Sequence, residues 1–185
     1  MILTGLAGHA QQEQGTANAD LPKNVRKALD DRWKGWQLAT VDPQALACRP
    51  KDAPPPSVVV KGDLDGDGHP DTAFLIKTSQ GVRLVAAITR VDDIYLVEVD
   101  SLGSTAADGV LALEPRGAKF SYPDLPVDEF YPADTLTISR CGQPTTAYFW
   151  LGLEFSKVVL RSTSDVQGSP GRPQDPREID GLPRP

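Results

Sequence analysis

The run Asp63-Leu64-Asp65-Gly66-Asp67-Gly68-His69-Pro70-Asp71 sets four carboxylates at positions 1, 3, 5 and 9, between the apolar segments VVV and TAFLI. Alternate acidic residues in a tight turn can aim several oxygens at one centre. That suits calcium, which takes about six to eight hard oxygen ligands at roughly 2.3–2.6 Å in flexible geometry. Asp63, Asp65 and Asp67 are the first three candidate ligands, the backbone carbonyl of His69 is the fourth, and Asp71 completes the set directly or through water. Gly66 and Gly68 permit the positive φ angles that such a wrap demands. Without a cation, each pair of neighbouring carboxylates repels by about 1 kcal/mol even at the dielectric of water. The competing reading is a metal-free, Asx-rich turn.

Two features exclude an EF-hand. Its twelfth position needs a bidentate Glu, and that position is Phe74. Its flanks are helices, whereas VVV and TAFLI have the composition of strands. DLDGDGHPD followed by an apolar strand resembles instead the calcium loop of FG-GAP and VCBS repeats, found in integrin α-subunit propellers and many secreted bacterial proteins. The resemblance implies that Asp63, Asp65, Asp67, His69 through its backbone, and Asp71 are the ligands. Those repeats recur to build propeller blades, but the motif occurs once here, so a propeller is not expected. Over residues 21–165 the layout of a helix, one aspartate loop and a closing AYFW hairpin is similar to small exported bacterial proteins of unknown function.

Other catalytic chemistry has little to work with. The two histidines are His9, in the leading segment, and His69, in the aspartate loop, so a Ser-His-Asp or Cys-His arrangement lacks a base. GDGHP lacks the lysine and helix of a phosphate-binding loop. Pairs among Glu98, Asp100, Glu114, Asp128, Glu129 and Glu154 are of the type that hydrolyses glycosides, yet most soluble proteins offer such pairs. Trp33 and Trp36 read as glue between a helix end and a sheet, and Tyr148 and Trp150, at period 2, as one sheet face. SYPDLPVDEFYPAD (121–134) reads as a long Pro-rich loop in which Tyr122, Phe130 and Tyr131 are candidates for a binding surface.

The formal net charge is −6, of which the aspartate loop supplies −4, so the acidity is local. No basic stripe is present, which argues against a nucleic-acid partner. No run approaches the roughly 18–20 apolar residues of a membrane span. MILTGLAGHA (1–10) reads as a signal-peptide remnant and residues 11–20 as a flexible leader, which places the chain in the periplasm or outside the cell. There Cys48 and Cys141 read as one disulfide, closing a loop worth roughly 4–5 kcal/mol in the chain-entropy account. Two unlinked thiols or a two-Cys zinc site are the alternatives.

These residues need a scaffold. Leu21, Val25, Ala28, Leu29 and Trp33 make the stripe of an amphipathic helix, which Gly35 ends. Short β-branched and aromatic runs follow at 36–41, 57–61, 71–78, 82–90, 94–100, 110–114, 118–122, 134–140, 146–151 and 153–161, punctuated by turn residues. The spacing predicts one α+β domain over 21–161, an N-terminal amphipathic helix packed on a predominantly antiparallel sheet of about nine strands. Residues 162–185, rich in Pro and Gly, read as a disordered tail. The expected function is that of an exported, noncatalytic domain with one structural calcium, binding a protein or glycan or acting at the cell envelope. The alternative is a calcium-dependent hydrolase of polysaccharide.

Overall fold

The computed structural model describes residues 21–47, 49, 56–91, 93–103, 107–122 and 128–160. The signal-peptide remnant, leader and tail expected at the two ends, and Cys48, lie outside them. The chain runs α1 (Lys23–Arg32), β1 (Gln37–Leu38), α2 (Pro43–Ala47), β2 (Val59–Gly62), β3 (Asp71–Thr78), β4 (Gly81–Arg90), β5 (Asp93–Ser101), β6 (Val110–Glu114), β7 (Lys119–Ser121), β8 (Asp128–Phe130), β9 (Thr135–Ser139), β10 (Thr146–Trp150) and β11 (Phe155–Val159).

Strands β1, β3, β4 and β5 form an antiparallel sheet in that order, with β2 also paired to β3. A second sheet runs β11-β10-β9-β6, and β7 with β8 forms a separate two-stranded ribbon. Side chains on a strand alternate between faces, and the alternation assigns the cores. From β3 and β4, Ala73, Leu75, Leu84, Ala86 and Ile88 enter one cluster with Leu111 of β6, Leu136 and Ile138 of β9 and Tyr148 of β10. The two large sheets therefore bury a shared interior. The opposite faces of the same strands turn Phe74, Ile76, Val85 and Ala87 toward Leu21, Val25 and Leu29 at the helix. Behind the second sheet, Ala147 joins Phe120, Tyr131 and Leu160, with Phe149 packed against them.

The α+β expectation is thus corrected. Among the described residues the fold is mostly β: eleven strands in three sheets, and two helices of ten and five residues. Helix α1 buries only Val25 and Leu29 from its own span, too little apolar surface to make a helical layer. The interior face that an α+β fold would give to helices is covered by a second sheet, so the architecture is a sandwich. Among the described residues, no helix is long and apolar enough to cross a membrane.

Candidate metal centre

Strands β2 and β3 pair up to Gly62 opposite Asp71, so residues 63–70 are the connection of a hairpin. Gly66 and Gly68 take φ of 77° and 88°, left-handed values that a residue with a Cβ rarely adopts. The turn brings one carboxylate oxygen each from Asp63, Asp65 and Asp71 within 4.8 Å of one another, a group that could hold a metal ion.

Each carboxylate is held differently. Asp71 is fully buried. Its Oδ2 accepts the Leu64 N–H at 2.9 Å and its Oδ1 the Thr89 N–H at 2.7 Å. Burial pushes its carboxyl up to about 6, these N–H donors oppose the shift, and the charge of Asp65 adds to it. Asp65 accepts the Asp67 N–H at 3.2 Å, and its Oδ2 faces Arg90 Nη2, also at 3.2 Å. Burial raises the Asp65 carboxyl as well; the charges of Asp67 and Asp63 act in the same direction, and Arg90 opposes them. Asp63 accepts the Gly68 N–H through Oδ2 at 3.1 Å. Its Oδ1 is buried with no hydrogen-bond partner. A buried, unpartnered carboxylate oxygen is costly unless a cation meets it.

The Asp67 carboxylate is not one of the three in this group. The His69 N–H, at 2.8 Å, holds the Asp67 carboxyl below its ordinary range, and the His69 ring sits 3.2 Å from the same oxygen. Of the five expected ligands, then, three side chains converge and the Asp67 carboxylate is engaged by His69.

Asp134, which sequence reasoning missed, anchors the loop. Its Oδ2 accepts the Asp63 N–H at 2.9 Å, its own N–H donates to the Asp63 carbonyl at 3.1 Å, and its Oδ1 accepts the Arg116 N–H at 3.0 Å. The only signal was an Asp after Pro-Ala at the mouth of a strand, a common turn residue.

The proposed aromatic surface divides. Phe130 is 57% exposed, Tyr122 is half-buried, and Tyr131 is buried, stacked on Phe120 at 4.6 Å between centroids. Burial and then the charge of Glu114 push the Tyr131 hydroxyl up to about 12. Tyr131 is therefore a core residue, because β7, β8 and the turn after them fold its ring inward. Phe130, Tyr122, Phe149 and Trp150 line a groove of about 400 Å³. A second hollow, of about 530 Å³, lies between α1 and the β4–β5 turn and includes Lys27, Asp31, Arg90 and Asp93. Cys141 Sγ lies 3.1 Å from the Gln44 carbonyl oxygen, and no described cysteine is free. Compared with known protein families, curated proteins and solved structures, the chain matches none.

Proposed function

We propose that the 63–71 loop is a structural calcium site in an exported, noncatalytic domain with a binding or cell-envelope role. The observation that carries this reading is the convergence of Asp63, Asp65 and Asp71 within 4.8 Å. Calcium fits best: the donors are all hard oxygens on a flexible turn, whereas magnesium demands near-ideal octahedral geometry and zinc favours nitrogen and sulfur. The ion would neutralise a buried charge cluster and join β2, β3 and, through Arg90, the end of β4. The likeness to FG-GAP and VCBS loops points the same way and rests on residues 63–71 alone. Pairing of Cys141 with Cys48, in keeping with export, is supported by the approach of Cys141 to Gln44, four residues before Cys48 in the chain.

Thermal melting during calcium titration tests the site. At about 100 times its dissociation constant, calcium should add roughly 2.7 kcal/mol to the parent, and Asp65→Ala should lose most of that gain. A parent whose melting point is the same in calcium and in EDTA would overturn the reading.

A further inference from the structure

We propose that Arg90 is a built-in counter-charge of the aspartate loop: it holds the loop together when no ion is bound, and it sets how tightly, and with what preference for ionic charge, the site binds a cation. The inference rests on the calcium reading above. It adds the regulation of that site by a side chain that does not itself ligate the ion.

The end of β4 is fixed against the loop at three points. The Thr89 N–H donates to Asp71 Oδ1 at 2.7 Å, the Thr89 hydroxyl donates to the Pro70 carbonyl at 3.0 Å, and Arg90 Nη2 lies 3.2 Å from Asp65 Oδ2. Because Thr89 is held twice, the backbone of Arg90 has a set place beside the loop. The Asp65 side chain is 2% exposed and that of Arg90 50%. A carboxylate so deeply buried is costly without a partner. The guanidinium reaches in from the solvent side and supplies one, while staying half hydrated itself.

Of the three converging carboxylates, Asp65 is the one with a basic partner among the described residues. Asp71 is held by two N–H groups, and Asp63 Oδ1 is buried with no hydrogen-bond partner. Asp67 and Asp134, outside the group, turn their carboxylates to backbone N–H groups. The charge of the group is therefore met only in part. Its three carboxylates carry −3 and Arg90 +1, which leaves −2, the charge that one divalent ion cancels.

A fixed positive charge beside a cation site acts in opposite directions in the two states. In the empty loop it offsets the mutual repulsion of the carboxylates. Beside a bound ion it repels that ion, and the repulsion grows in proportion to the ionic charge. Arg90 thus weakens the binding of any cation, and that of a trivalent ion more than that of a divalent one. It keeps its hold on Asp65 in both states, so the end of β4 stays attached whether or not the site is filled.

Calorimetric titration of the full chain with calcium, and with terbium as a trivalent ion that also takes oxygen ligands, tests this in the parent, Arg90→Gln and Arg90→Lys, with thermal melting in EDTA alongside. Arg90→Gln is expected to bind calcium about fivefold or more tightly than the parent, and terbium about tenfold or more tightly. It should melt below the parent in EDTA and recover the difference in saturating calcium. Arg90→Lys, which keeps the charge, should hold the parent's ratio of terbium to calcium affinity. Calcium binding by the parent, with Arg90→Gln binding it equally or more weakly, overturns this inference and leaves the calcium site standing, whereas a parent that binds no calcium removes both. An Arg90→Gln protein that melts with the parent in EDTA, an affinity ratio that does not move, or an Arg90→Lys protein that behaves like Arg90→Gln also overturns it.

Discussion

Gly62 is the point at which the aspartate loop touches the second sheet. A Cβ there would lie 2.5 Å from Leu113 Cδ2 and 2.7 Å from Asp134 Oδ2. The leucine methyl can rotate away, but the Asp134 carboxylate can move only by giving up the N–H groups of Asp63 and Arg116. Gly62→Ala is therefore expected to cost about 1–3 kcal/mol by overpacking and also to weaken calcium binding, since the loop loses its anchor. Denaturant unfolding and calcium titration of this variant measure both; unchanged values would mean that Asp134 does not fix the loop. At this scale the sequence disclosed the local half of the site. The spacing of Asp63, Asp65 and Asp71 shows in nine residues, because a turn fixes their relations. Asp134 stands 71 residues from Asp63, and nothing local tells a loop-anchoring Asp from any other turn Asp.

Among the elements, β3 and β6 have the bounds that alternation and turn residues indicate, β4 and β10 differ from theirs by a residue at one end, and β5 by a residue at each end. Strand β8 and helix α2 were hidden in Pro-rich connections, where a three-residue ribbon strand and a single helical turn leave too short a pattern to read. Sheet partition was also illegible. Runs such as DTAFLI and VAAI are buried on both faces, so they carry no polar side to reveal that a second sheet covers one face while α1 covers the other. Helix α1 is nonetheless needed to cover Phe74, Ile76, Val85 and Ala87. Leu29, fully buried in that cluster, is the side chain to test. Leu29→Ala should destabilise the domain by about 2–5 kcal/mol in denaturant unfolding while leaving calcium affinity in the folded state unchanged. A cost below about 0.5 kcal/mol, that of an ordinary surface change, would show that the helix is dispensable.

Across the whole molecule, one polar network spans the two sheets. Asp100 of β5 accepts from the Tyr148 hydroxyl of β10 and the Lys157 ammonium of β11, each at 2.6 Å. Burial would raise the Asp100 carboxyl, but Lys157 and Tyr148 outweigh it and hold the group below its ordinary range; burial and the same carboxylate push the Tyr148 hydroxyl up. A depressed folded-state value means stability that is present above the unfolded value, about pH 4, and lost as pH falls through the folded one. Asp100→Asn should therefore cost about 1–3 kcal/mol at neutral pH, and the gap from the parent should close on acidification below about pH 4. A gap that stays constant with pH would mean that the charge on Asp100 contributes nothing.

The double-sided burial of β3 and β4 has one more effect. A strand with one wet face is kept in register because sliding by a residue would drown its apolar side chains, and this hairpin has no wet face to enforce that. Its alignment must be set at the ends: by the tight Ser79-Gln80 turn, where the Thr78 hydroxyl donates to the Gly81 carbonyl, and by Asp71, whose carboxylate grips the Thr89 N–H across the pair. The residue that offers an oxygen to a cation thus also works as the peg that stops two greasy strands from slipping past each other.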